Sequence, residues 1–250
     1  MNWSDRFSSP EQIVEASFFV AGFPNDETPP FLASIFPGSD AMIQIKHRNT
    51  GEILLEIAAD SLVGMKLVGK NLSGADLSSQ VLRNCVFDSD NLDEASFARS
   101  NLEGATFIGA SVKRACFDGA NMTRVVMTDA ILNESSFVRT NLSKANLRYA
   151  KLPNCNMTGA RLVEADVSMC DLQCNLIEAN LTRCDLRGSN LTGADLTRAK
   201  VDEANFTDAS MTDAILEETY IERAINACAK HKPFKPKSHV AKRPWWMVWA

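Results

Sequence analysis

Histidine is nearly absent from this chain: three in 250 residues, His47, His231 and His239, all outside its long central stretch. No spacing brings an imidazole to a nucleophile, so the Ser-His or Cys-His kinds of catalysis are not expected, and no catalytic residue is assigned. A glycine-rich phosphate loop and a dinucleotide fingerprint are also missing. There is no run of 18 apolar residues. Met1-Asn2-Trp3-Ser4-Asp5 carries no basic segment followed by an apolar one, and the apolar span from Ala16 to Phe23 is short and follows two glutamates. The expectation is a cytoplasmic protein without a signal or a membrane span. The seven cysteines are an odd number without clustered histidines, which fits neither a disulfide framework nor a zinc site. No metal and no cofactor are expected.

What the chain does have is a beat of five. From Leu62 to Leu172, and again from Leu176 to Ile221, every fifth residue is apolar: 33 positions holding 19 Leu, 6 Phe, 4 Met, 3 Val and one Ile. Five is neither the 3.6 of a helix nor the 2 of a strand, so the chain winds in another way. Two residues before each of these centres runs a second stripe, from Asp60 to Thr219, in which 27 of 33 positions are Ala, Cys, Ser or Thr. Small residues there suit a turn packed inward beside a large neighbour. Cys85, Cys155, Cys170, Cys174 and Cys184 occupy this stripe, so they read as reduced stand-ins for alanine. The remaining places are mostly polar and are expected to face water.

Stretches such as Ala75-Asp76-Leu77-Ser78, Ser189-Asn190-Leu191-Thr192-Gly193 and Ala194-Asp195-Leu196-Thr197-Arg198 resemble the pentapeptide-repeat family. The resemblance covers roughly two thirds of the chain. It implies an all-β solenoid: a right-handed quadrilateral β-helix with one pentapeptide per side and four per coil, the centre and the small residue pointing inward. The 33 units then make about eight coils. Stacking joins stripes that one coil cannot bury alone. On that basis Phe87 and Phe107 fall on one side and Phe97, Phe117 and Phe137 on another, each series stacked.

Two irregularities stand out. Only four residues separate Leu172 from Leu176, so a corner must tighten or a unit flatten between them. Near the start the small stripe is broken by Met65, Lys70, Gln80 and Asp90, and the first coils are expected to be less regular. A lysine pointing inward at Lys70 is costly unless it reaches out through an open end.

The ends differ from the middle. Residues 1–56 read as an N-terminal cap: a helix from about Pro10 behind the Ser8-Ser9 cap, then a hairpin in which Ile43 and Ile45, and Ile53, Leu55 and Ile57, alternate around Asn49-Thr50-Gly51. Residues 57–221 are the repeat. Residues 222–250 read as a helix, with acids early, Lys230 and Lys232 late and a stop at Pro233, followed by a basic tail with Lys242, Arg243, Trp245, Trp246 and Trp249. Those five residues are the candidate partner-binding group. Either the tail folds back as an apolar strap or it anchors a partner or an anionic membrane surface.

Charge is polarised. From residue 223 onward there are seven Lys or Arg and no acid, whereas residues 57–222 hold 16 bases and 23 acids. The resemblance implies one known activity, since some family members inhibit or protect DNA gyrase by imitating duplex DNA, which requires a strongly acidic surface. Sorting outward residues by side gives five acids against seven bases on the side of Leu62, five against three on those of Leu67 and Leu72, and six against three on that of Leu77. Arg99, Arg139 and Arg198 interrupt the last. No side is a phosphate-like stripe, and nucleic acid is not an expected partner. The sequence therefore reads as a non-enzymatic scaffold or protein-interaction module with an unspecified protein partner. DNA mimicry toward gyrase or topoisomerase and membrane-surface attachment through the tail are the alternatives. A homodimer through the C-terminal end is left open.

Overall fold

The computed structural model describes residues 41–227. The helix expected from Pro10 and the tail residues Lys242, Arg243, Trp245, Trp246 and Trp249 lie outside the described residues, as does Cys228. The chain divides into two units, one comprising Met1–Ile45 with Leu55–Ser61 and the other Lys46–Leu54 with Leu62–Ala250. In the first unit Ile45 is buried and Gln44 donates to Glu56 at 2.8 Å. These residues lie on β1 (Met42–His47) and β2 (Ile53–Ala58), the two arms of the hairpin read from the alternation.

The hairpin tip belongs to the second unit. There Lys46 and His47 of β1 pair antiparallel with Asp76 and Ala75 of β3 (Ala75–Asp76). Gly74 lets this pairing happen: its φ is +67°, and a Cβ would meet His47 Nε2 at 2.3 Å.

From there the second unit is a ladder of parallel bridges between residues twenty apart, from Lys66↔Val86 to Asn205↔Ile225. Four pentapeptides make one such repeat, each closed by its own turn, so a coil has four faces. One unit shows where the backbone hydrogens go. Ser100 N–H closes a turn on the Phe97 carbonyl (3.1 Å). Asn101 N–H reaches the Gln80 carbonyl one coil back (2.8 Å), while Leu102 and Gly104 reach those of Asn121 and Thr123 one coil ahead (2.7 and 3.0 Å). Glu103 N–H is met by the Asn101 side chain at 3.2 Å. That last bond explains the Asn or Asp that precedes 16 of the 33 centres, since a short polar side chain can accept from the N–H two residues on.

Each turn also needs a residue with positive φ two places after the centre, as a type II turn does. Glycine supplies it at Gly104 and Gly109, but most units use Arg, Glu, Asp, Asn, Lys or Ser, with φ between 53° and 63° at those residues. The left-handed conformation costs a non-glycine residue on the order of 1 kcal/mol. Ladder bonds on either side hold it.

The slip obeys the same logic. Bridges are twenty apart before it, nineteen apart from Asn156↔Asn175 to Asp171↔Asn190, and twenty apart again from Asn175↔Asp195. Met169 and Glu178 on either side have φ of +58°, whereas the Leu172-Gln173-Cys174 corner has no left-handed residue. Cys174 N–H instead donates to the Leu172 carbonyl at 2.7 Å, a turn one residue shorter. The corner tightens by omitting its left-handed residue, and the ladder keeps its register.

Every centre from Leu62 to Met211 is buried, and Leu216 and Ile221 are half-buried. The phenylalanines stack as the twenty-residue spacing requires: Phe87 on Phe107 at 4.8 Å between centroids, Phe97 on Phe117 and Phe117 on Phe137 at 4.9 Å. The two stacks meet edge to face at 5.6–6.1 Å.

The cysteines of the small stripe are free and buried. Cys85, Cys155 and Cys170 thiols point at the Leu62, Leu132 and Leu147 carbonyls (2.8–2.9 Å). Ser135 and Thr140 make the same contact with the Val112 and Phe117 carbonyls (2.6 and 2.7 Å), so thiol and hydroxyl are interchangeable in this slot. Burial pushes the Cys85 thiol up to about 11 and those of Cys155 and Cys170 up to about 12.

At the start of the repeat, Met65 and Lys70 are half-buried and Gln80 is exposed. Asp90 is the exception, buried to 2% exposure, with Oδ1 accepting from the Gly69 and Lys70 N–H groups while Oδ2 meets no partner. Desolvation raises its carboxyl above the ordinary range, against the pull of those two N–H bonds.

The C-terminal reading needs correcting within the described residues. The helix expected from residue 222 is there only a single 3-10 turn, Ile221–Arg223. Ile225 N–H then rejoins the ladder at the Ala204 carbonyl (2.7 Å). A ninth rung forms because that carbonyl, left open by the last complete coil, captures the chain.

Candidate interaction face

The four faces carry the same backbone but different surfaces. They are numbered here by their first centres, Leu62, Leu67, Leu72 and Leu77. On the first face, ion pairs tie one coil to the next: Arg83 to Glu103 at 3.4 Å, Lys144 to Glu164 at 3.6 Å and Arg183 to Glu203 at 2.9 Å. Arg124 to Glu103 and Arg223 to Asp202 belong to the same series. The third face has Arg114 to Glu94 at 2.6 Å and Lys113 to Asp93 at 3.9 Å, and the fourth has Arg198 to Glu178 at 2.7 Å. Acid and base alternate between rungs, so the charges neutralise one another locally.

Among the described residues, the second face has no ion pair between coils. Its one ion pair lies within a coil, Arg187 to Asp185 at 2.6 Å, and the guanidinium holds the Asp185 carboxyl below its usual range. Beside its five acids and three bases it shows apolar side chains: Val68, Ile108, Tyr149 and Met169 are 42–54% exposed. Half-buried Val86 and Val126 stand in its bridge column. Counting Ile225, five of the large exposed apolar residues on the coils lie on this face, against Val63, Val81 and Tyr220 on the first and Ile215 on the fourth.

Toward the C-terminal end of this face is a shallow groove of about 250 Å³ lined by Arg148, Ser168, Met169, Arg187, Gly188 and Asp208. A Cβ at Gly188 would lie 2.7 Å from Met169 Sδ, so glycine there leaves room for the thioether. Arg148 lies over the Tyr149 ring, 4.9 Å from its centroid, and bonds its hydroxyl at 3.1 Å. The groove falls below the ~300–1,000 Å³ of small-molecule pockets. No group of His, Cys, Asp or Glu fit to hold a metal occurs among the described residues. No helix among them is long and apolar enough to cross a membrane.

The residues chosen from sequence as partner-binding all lie in the tail, outside the described residues. The face itself was within reach of the sequence. Sorting outward apolar residues by side, as the charges were sorted, places Val68, Ile108, Tyr149 and Met169 together.

The family model for pentapeptide repeats matches eight copies that run from residue 71 to residue 225. The chain belongs to the pentapeptide-repeat family, whose coil is a right-handed quadrilateral β-helix. Its relatives of known structure are distant. HetL, a pentapeptide repeat protein involved in heterocyst differentiation regulation in the cyanobacterium Nostoc sp. strain PCC 7120, is 22% identical, with 67% of this chain and 92% of that chain covered and a TM-score of 0.37. QnrB1, a plasmid-mediated fluoroquinolone resistance protein, is 19% identical over 65% of this chain and 77% of that one, with a TM-score of 0.43. A pentapeptide repeat protein of the Arabidopsis thaliana thylakoid lumen is 22% identical over 60% and 70%, with a TM-score of 0.23. No curated protein sequence matches the chain significantly.

Proposed function

We propose that this protein is a non-enzymatic scaffold that binds a protein partner along its second face. One observation carries the reading: the exposed apolar side chains concentrate on the face that has no ion pairs between coils. Apolar area is the part of a surface least costly to strip of water, and aromatic and methionine side chains are favoured at interface cores. The groove walls, two guanidinium groups and a thioether, fit an aromatic or aliphatic anchor of the partner.

Pairing of acids with bases between rungs on the first, third and fourth faces, and the interruption of the second face's five acids by Lys66, Arg148 and Arg187, disfavour DNA mimicry, which needs unbroken negative charge along a face. A gyrase supercoiling assay with purified protein tests that alternative: inhibition or protection at micromolar protein would revive it. The scaffold reading is tested by quantitative affinity enrichment from native lysate with the wild type, Tyr149→Glu and the first-face control Val63→Glu. Specific partners should be lost only with Tyr149→Glu. Equal recovery by all three would overturn the assignment of the face.

A further inference from the structure

We infer that the second face is covered, when no partner is bound, by the chain's own C-terminal segment, residues 228–250, with a tryptophan of that segment seated in the groove beside Met169. The inference concerns regulation of the proposed binding face. Three observations converge on this occupant.

The first is where the described chain leaves. Ile225 bridges Asn205, and Asn226 Nδ2 donates to Thr207 Oγ1 at 2.9 Å, so the last rung before Ala227 lies on the second face. The groove begins one rung away at Asp208 and extends through Gly188 and Met169 to Arg148. At ~4.8 Å per rung that is about 5–20 Å from the exit. The eighteen residues from Cys228 to Trp245 span up to about 60 Å when extended, so the tryptophans reach every part of the groove with slack for a reversal.

The second is chemical fit. Trp245, Trp246 and Trp249 are three of the chain's four tryptophans. An indole is a favourable partner for a guanidinium face and for a thioether, and the groove offers Arg148, Arg187 and Met169. Its volume of about 250 Å³ suits a single side chain rather than a free ligand.

The third is charge. Residues 228–250 hold six Lys or Arg and no acid, whereas residues 57–222 hold 16 bases and 23 acids. Asp208 stands at the mouth of the groove, on the side nearest the exit. The attraction is between the segment and the coil as a whole, and it weakens with salt. The short connection raises the effective concentration of the segment at its own groove, so a second copy competes poorly with it. A partner using the face must displace it.

Limited trypsin digestion of the full-length protein tests this, following cleavage after Lys237 and Lys242 by intact mass. In the wild type the segment should be protected. In Met169→Glu, cleavage should accelerate about tenfold, because proteolysis follows the undocked population. The substitution is at a half-exposed left-handed position of the kind that Glu134, Glu164 and Glu178 already occupy, so the coil should still fold, and far-UV circular dichroism checks it. Met169→Leu should keep protection, and the first-face control Val63→Glu should leave it unchanged. Equal cleavage of wild type and Met169→Glu would overturn the proposal. Protection that disappears on about a hundredfold dilution, together with a doubled molar mass, would place the segment on a second copy and overturn the intramolecular assignment. The readout is cleavage of the segment itself, so it stands or falls independently of the partner-enrichment assay.

Discussion

The first and second faces share one backbone, one ladder and one core, yet present opposite surfaces. On the first face, acid and base sit one coil apart and satisfy each other. On the second, Ile108, Tyr149 and Met169 stand in the equivalent outward places and leave apolar area in water. The contrast teaches that the repeat's outward positions are free of the fold. The bridge column and the left-handed place accept almost any residue because backbone bonds hold them, and function can be written there face by face.

The strongest way to break the comparison is from behind. Phe107→Ala removes the ring beneath the second face that stacks on Phe87 and meets Phe97 and Phe117 edge to face, and should cost about 3–5 kcal/mol in chemical denaturation. Leu102→Ala, beneath the first face, should cost about 2–5 kcal/mol and lie at the lower part of that range, since no aromatic contact is lost. Equal losses would show that the ring stack adds nothing beyond volume.

Asp90 probes the shared interior. Its folded-state pKa is raised, so its unfavourable burial is absent below the unfolded carboxylate pKa and grows as pH rises through the folded one. Asp90→Asn keeps an acceptor for the Gly69 and Lys70 N–H groups and removes the charge, so the stability gap between it and the wild type should move in its favour as pH rises through the folded-state pKa. The shift should reverse as pH falls through the ordinary carboxylate range. A shift toward the variant on acidification would contradict the desolvation account.

Smaller effects sharpen the surfaces. Lys144→Glu sets a like charge opposite Glu164 on the first face and should cost about 0.5 kcal/mol or less, vanishing in high salt. Met169→Glu on the second face should destabilise by no more than the segment docking it abolishes, its main effect falling on segment protection. The smallest signal is a rate: buried thiols raised to about 12 at Cys155 and Cys170 should resist alkylation in the native protein and react only on unfolding.

Much of the fold was legible in the residues. The five-beat placed each centre, the twenty-residue spacing placed the phenylalanine stacks, and the short step from Leu172 to Leu176 located the irregular corner. The corner's construction was not legible, because nothing in Gln173-Cys174 says which of five backbone places is omitted. Only the missing left-handed residue and the Cys174 bond to the Leu172 carbonyl reveal it. The C-terminal helix failed for a related reason: the spacing of Ile221, Ala224 and Ile225 suits a helix, but an open ladder carbonyl at Ala204 offers the chain a competing partner. The second face was half legible. Its residues could have been sorted by side, but the lack of ion pairing between its coils could not have been counted.

By itself the sequence determined which side chains form the core, because the period of five marks the apolar centres and the small residues beside them, and its resemblance to a known family implied the coil. The tertiary structure decided which outward residues meet. Stacking in parallel register brings residues twenty apart, or nineteen across the slip, to within one rung. Ion pairs, the bare second face, its groove and the side on which the chain leaves are all consequences of that vertical adjacency, which no local stretch of sequence contains.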